Sequence, residues 1–338
     1  MIKQFQKLFK INSHIQNFNK LPKYNFTSTE ILKRLRDETG SPIINVKKAL
    51  EEYNGDFEKA KNYLIEKGLA SAQKKLSKET REGVIGIQVS ENKQFAYFQF
   101  NCETDFVARN ELFQDFVNSV LNSVLKKEKS IKFIDESSEN QKEQMNKFYQ
   151  ENYIQGNLTE NKQENMDKIR QLIISKLQEN INIRKLGTLQ QTDGIIGLYV
   201  HNSLKQGIGG RGCLVSIQGL KNSNENAQFA DNIALQILGM RPDYISIGDI
   251  PKDVFNKEVK RVKNEFGDAL KGKNQQVVEK MVEGKMKKFY EENVLLEQQL
   301  LVDQGKDAKN IGELIKNINK KDNGNIIIKE YIVWAVKQ

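Results

Sequence analysis

Histidine and cysteine are scarce in this chain of 338 residues, with two of each. His14 lies within the first 26 residues and His201 stands alone beyond them. No His/Cys metal set and no Ser-His-Asp triad can be assembled from such a supply, which argues against hydrolases of those kinds. Cys102 and Cys213 fit buried free thiols in a reducing compartment. No run approaches the roughly 18 apolar residues of a membrane span. The phosphate-loop pattern G-x-x-x-x-G-K-[ST] is missing as well. Carboxylates are missing from one stretch: residues 1 to 26 hold Lys3, Lys7, Lys10, Lys20 and Lys23, and the first acid is Glu30. Taking those five charges from the net +9 leaves +4 for the rest of the chain. With so small an excess and no basic-aromatic platform, direct nucleic-acid binding is not expected.

The same leader carries Ile2, Phe5, Leu8, Phe9 and Ile15 among polar and basic residues, although no arginine. The pattern suits an amphipathic organelle-targeting helix, and import into the mitochondrial matrix is the expectation. The remainder is polar, 38% hydrophobic and 29% charged over the whole chain, and long enough for two or three domains.

Residues 29 to 70 read as three short helices. Ile31, Leu32 and Leu35 mark the first, which stops at Thr39-Gly40; Val46, Ala49, Leu50 and Tyr53 mark the second, which stops at Asn54-Gly55. Asp56 caps a third carrying Phe57, Ala60 and Leu64, closed by Gly68. Residues 71 to 81 are a charged link.

A strand-hairpin-helix unit then occurs twice. Glu82-Gly-Val-Ile-Gly-Ile87 and Asp193-Gly-Ile-Ile-Gly-Leu198 open the copies; Phe95 to Phe100 and Cys213 to Ile217 follow as second strands. The helices carry Phe113, Phe116, Val117, Val120 and Val124 in one copy, and Phe229, Ile233, Ile237 and Met240 in the other. Two related α+β subdomains are implied, over 82–190 and 191–338. The polar segment 126–168 reads either as peripheral helices or as a flexible insertion. In the second subdomain, Phe255, Val259, Val262, Phe266 and Ala269, then Val278, Val282, Met286 and Phe289, predict a helical hairpin over 251–290, turning at Lys271-Gly-Lys-Asn274. A short helix near Ile311 to Ile318 and a buried strand over 325–336 end the chain. Gly207-Ile-Gly-Gly-Arg-Gly212 fits the dinucleotide fingerprint, but the β-like Cys213 to Ile217 follows where a helix is required, so a glycine-rich hairpin turn is expected.

The copies differ where strand passes into helix. The first reads Thr104-Asp-Phe-Val107, the second Gly219-Leu-Lys-Asn-Ser-Asn-Glu225. In one account Asp105 caps the helix and Phe106 folds back on the core. In the other, Asp105-Phe106 is an added functional feature, since the second copy manages without it.

Several motifs, in order, are similar to those of the elongation factor Ts family: Leu35-Arg-Asp-Glu-Thr-Gly40 with Lys47-Lys-Ala-Leu50, Asn54-Gly-Asp56, Thr104-Asp-Phe-Val-Ala108, Glu179-Asn-Ile-Asn-Ile-Arg184, and Glu279-Lys-Met-Val-Glu-Gly-Lys-Met-Lys-Lys-Phe289. The resemblance runs from about residue 29 to the end. It implies an α+β fold: a three-helix module like a ubiquitin-associated domain, then two related α+β subdomains with a helical hairpin in the second. It implies a guanine-nucleotide exchange factor, not an enzyme. The expected partner is mitochondrial elongation factor Tu in its GDP-bound and nucleotide-free states, with no cofactor, metal or nucleic acid. By resemblance Asp105 and Phe106 enter the GTPase domain beside its magnesium and phosphate site, Thr104 and Val107 belong to the same partner-binding motif, and Lys47, Leu177, His201 and Leu301 make further contacts. Gln178 stands where the family often has glycine, Gln298-Gln-Leu-Leu301 lacks its usual proline, and the turn near residue 205 is longer. Two other roles are weighed: a ubiquitin-like-binding adaptor, and the fold recruited as a structural subunit of an organellar complex.

Overall fold

The computed structural model describes residues 29–127, 130–155, 158, 162–190, 193–267, 274–302, 309–322 and 324–336. The leader, Ala269 and most of the Lys271–Asn274 turn lie outside them. The chain forms two compact units, one of residues up to Glu79 with Asp167–Ile181, the other of Thr80–Met166 with Asn182–Gln338.

In the first unit, α1 (Thr29–Thr39), α2 (Ile43–Glu52) and α3 (Phe57–Lys75) close on Leu35, Val46, Ala49, Leu50, Ala60 and Leu64. Asp56 caps α3 by accepting the Lys59 N–H at 3.1 Å. The third helix does not stop at Gly68; it continues to Lys75. A β-carbon on Gly68 would lie 2.1 Å from the Ser175 hydroxyl, in the Met166–Leu177 helix. Glycine here permits close helix approach and ends nothing.

The second unit opens with β1 (Glu82–Val89), β2 (Gln94–Cys102), a one-turn helix Asp105–Ala108 and α4 (Glu111–Leu125). β3 (Ile134–Asp135) and α5 (Glu139–Glu151) follow, then β4 (Ile181–Gln190), β5 (Ile195–His201), β6 (Ile208–Gly209), β7 (Arg211–Gln218) and α6 (Asn224–Met240). α7 (Lys252–Phe266), α8 (Gln275–Asn293), α9 (Ile311–Asp322) and β8 (Ile327–Ala335) complete it. One sheet has the order β3-β4-β2-β1-β6, the other β8-β7-β5. They face each other across Ile85, Ile87, Phe95 and Tyr97 on one side and Ile196, Leu214 and Trp334 on the other. α4 covers the outer face of the first sheet; α6 covers that of the second, over Cys213, Val215 and Ile217.

The duplication extends to single atoms. A β-carbon on Gly83 would meet the Phe100 carbonyl oxygen at 2.0 Å, and one on Gly194 would meet that of Ile217 at 2.0 Å. Three residues later, Gly86 lets Val117 and Leu121 of α4 approach, and Gly197 admits the backbone of Ala230 in α6. In the shared Gly-x-x-Gly the first glycine therefore admits the neighbouring strand and the second lets the helix seat on its strand. Cys102 and Cys213 are free and buried on equivalent strands.

Segment 126–168 contains a packed helix: α5 buries Met145, Phe148 and Tyr149, the Phe148 ring sits 5.8 Å from Phe98, and the Ile183 N–H donates to the Tyr149 hydroxyl. Gly207–Gly212 is a hairpin turn as expected, with an added use, because Ile208-Gly209 pairs with Gly86 and Ile85 as an edge strand. The α7–α8 seam holds Val259, Val262 and Phe266 against Val278, Val282, Met286 and Phe289. The last strand is not buried throughout: β8 is a sheet edge that leaves Ile327 and Val333 exposed. No helix among the described residues is long and apolar enough to cross a membrane.

Candidate functional site

After β2 the chain makes one helical turn before α4, and the turn and α4 each have their own N-terminal cap. The Thr104 hydroxyl accepts the Val107 N–H at 3.4 Å, and the Asn110 side chain accepts the Leu112 N–H at 2.9 Å to begin α4. Thr104, not Asp105, is thus the cap. Asp105 is the first helical residue, exposed and without a side-chain partner among the described residues. The Cys102 thiol donates to the Thr104 carbonyl at 3.1 Å, and the buried Gln114 amide donates to the Ala108 carbonyl at 3.4 Å. Val107 and Ala108 are buried where the turn packs on β1 and β2.

Phe106 is 81% exposed. It does not fold back on the core, which settles that point against the purely structural account. Burying a phenylalanine is worth about 1.5–3 kcal/mol, and this fold forgoes it. A turn fixed at both ends by hydrogen bonds holds the ring out. Beside it lies a cleft of about 490 Å³ whose walls include Asp105 and Arg109 on one side and Asn202, Ser203 and Leu204 on the other. The second wall is the long turn after β5, anchored by β6 on β1 and by Lys205 Nζ on Asp115 Oδ1 at 3.0 Å. Asp105 and the segment just beyond His201 are therefore brought to one place.

His201 ends β5, exposed, its ring 3.3 Å from the Tyr199 hydroxyl. Leu301 is 51% exposed, and its Cδ1 lies 3.0 Å from where a β-carbon on Gly239 would stand. Gly239 and His201 line one depression at the end of α6, so His201 and Leu301 flank the same helix terminus. The proline-free Gln298–Leu301 segment is held by an amide pair: Gln236 Nε2 donates to Gln298 Oε1 at 3.2 Å, and the Leu301 N–H donates to Gln236 Oε1 at 2.8 Å. Both glutamines are buried.

Lys47 and Leu177 belong to the first unit. Lys47 is exposed on α2; Leu177, half-buried, ends the Met166–Leu177 helix. Gln178, next in the chain, has φ +63, which accounts for glycine being usual at that place. Its carbonyl accepts from Lys75 Nζ at 2.7 Å.

Sequence reasoning missed the residues that hold these features. Gln114, Gln236 and Gln298 are buried amides without a periodic signature. Within Glu179–Arg184, Asn180 donates to the Leu76 and Lys78 carbonyls at 3.2 and 2.7 Å, while Asn182 accepts from Thr80 at 2.9 Å and donates to Glu136 at 2.6 Å. Asn180 thus holds the end of the link that belongs to the first unit, and Asn182 holds Thr80 in the second.

Residues 103–338 match the family model described as Elongation factor TS. The elongation factor Ts of Aquifex aeolicus (strain VF5) is 37% identical over 307 residues, covering 90% of this chain and 96% of that protein. That of Ehrlichia canis (strain Jake) is 36% identical over 285 residues, covering 84% and 90%. That of Hydrogenobaculum sp. (strain Y04AAS1) is 36% identical over 284 residues, covering 82% and 90%.

Proposed function

The chain belongs to the elongation factor Ts family of nucleotide exchange factors for elongation factor Tu, and from that premise we propose that it accelerates GDP release from mitochondrial elongation factor Tu through Phe106. The observation that carries this reading is an exposed aromatic on a turn that Thr104 caps and that leads into the Asn110-capped α4, beside the exposed carboxylate of Asp105. The ring enters the GTPase domain near its magnesium and phosphate site and separates side chains that indirectly hold the metal. Metal and then GDP leave, and the nucleotide-free GTPase remains bound until GTP arrives. Exchange of this kind needs tighter binding to the empty state than to the loaded one, and no covalent step. A rigid turn serves it, because ordering Phe106 at the moment of binding would subtract from that difference. Lys47, Leu177, His201 and Leu301 add contacts, all on surface-accessible positions of their own units.

The basic, acid-free leader supports a mitochondrial place of work; fused to a reporter, residues 1 to 26 are expected to direct it to mitochondria. Mixing the chain with mitochondrial elongation factor Tu should yield a stoichiometric complex on gel filtration that GDP dissociates. Stable residence in some other assembly, indifferent to GDP, would favour a recruited subunit instead.

A further inference from the structure

β5 and β7 run out from beneath α6 at the end where α6 terminates. Their outermost pair, His201 opposite Arg211, lies on the same sheet face as Tyr199 opposite Cys213. Cys213 is buried under α6, whereas His201 and Arg211 are exposed past it. Arg241 closes α6 in a left-handed conformation, φ 49, and comes to the same place. The three cationic or basic side chains ring a depression of about 350 Å³ with Leu235 and Leu238 in its floor. Hydrogen bonding to the Tyr199 hydroxyl steadies the histidine.

Arg34, Arg170 and Arg261 each grip a carboxylate of this chain at 2.6 to 2.8 Å. Arg211 and Arg241 grip none among the described residues. Arg241 gains something from the carbonyls of the helix end it closes. Arg211, on a strand, has no such reason to be there. Two unpaired guanidinium groups on one small depression repel each other, and an anion between them relieves the repulsion with charge-assisted, bidentate bonds. The leucine floor suits an apolar stem leading to that anion. Leu301 and Met240, 51% and 42% exposed, supply an apolar rim to the same helix end. An aspartate or glutamate on a folded protein surface has this chemistry: a short apolar stem, a planar carboxylate, and neighbours that can cover leucine and methionine.

We propose that Arg211 and Arg241 form a socket for a carboxylate side chain of elongation factor Tu. The inference rests on the exchange function proposed above and adds an affinity element in a depression separate from the one beside the Phe106 turn. The socket governs affinity, and the Phe106 turn governs the exchange step.

The test uses the full chain, unaltered and as Arg211→Glu, Arg241→Glu and Arg211→Lys, with mitochondrial elongation factor Tu. Each charge reversal is expected to raise the concentration for half-maximal GDP release about tenfold or more, with the maximal rate within about twofold. Arg211→Lys, which keeps the charge but not the fork, should fall between. The unaltered chain should lose affinity with added salt more steeply than the reversed variants. Unchanged circular dichroism and melting temperature would show that the exposed substitutions left the fold intact. Reversed variants that act at the same concentrations as the unaltered chain overturn the socket and leave the exchange function standing. An unaltered chain that neither binds nor accelerates release overturns both.

Discussion

Phe106 and Val107 are consecutive in the chain, yet Phe106 keeps 81% of its surface in solvent and Val107 keeps 7%. Val107 anchors the turn on β1 and β2 through its side chain and fills the Thr104 hydroxyl through its N–H, so the backbone that presents Phe106 is fixed from below. Thr104→Val removes the acceptor while keeping the shape. An N-cap of this kind is worth about 1 kcal/mol. Faster amide exchange over the Asp105–Ala108 turn and a severalfold slower maximal GDP release are expected, with global melting little changed. Exchange mass spectrometry and stopped-flow fluorescence check the two halves.

Gly83 and Gly194 occupy corresponding points of the two copies, and at each a β-carbon would lie 2.0 Å from a carbonyl oxygen of the adjacent strand. Gly83→Ala and Gly194→Ala should each destabilise the second unit by about 3 kcal/mol or more, since backbone must move and the positive φ is unfavourable for alanine. Urea unfolding followed by Trp334 fluorescence measures both.

Gln178 holds φ +63 with a side chain that gains only exposed or partly buried hydrogen bonds, to Lys75 and Ser175. Gln178→Gly should stabilise the first unit by about 0.5–1 kcal/mol, because the backbone bonds of the turn survive and the left-handed strain disappears. Thermal unfolding monitored at 222 nm, roughly the helical band, would register the gain.

Asp231 accepts the Leu198 N–H at 2.8 Å from α6, and burial pushes its carboxyl above the usual range although that hydrogen bond pulls the other way. A raised folded value means that its stabilisation is complete below the unfolded value, about 3.9, and is lost as pH rises through the folded one. Asp231→Asn can keep the acceptor without the charge. The variant should therefore be the more stable at neutral pH, with the difference shrinking as pH falls toward 4, roughly the carboxylate range. Urea titrations at several pH values give the comparison.

The parts of this protein legible in its sequence are those written in local periodicity: the three helices around Leu35 and Leu50, the α7–α8 seam, and the repeated Gly-x-x-Gly strands. Gly68 misleads because a glycine needed for close approach looks like a helix stop. β6 on β1 is invisible because a two-residue strand pairing far along the chain carries no pattern of its own. At the site, Thr104–Val107 stood out as a motif, but Gln114, Gln236, Arg211 and Arg241 act through contacts made only in the fold. Whether Phe106 points outward was a question of packing, and the sequence left both answers open.

We propose that the Asp105-Phe106 turn drives exchange. The most direct test is release of fluorescent GDP from mitochondrial elongation factor Tu by residues 27 to 338, unaltered and as the Asp105→Ala/Phe106→Ala double variant. Strong acceleration by the first and little by the second, with binding to the GTPase retained, is the predicted result. Equal acceleration by both would contradict the claim.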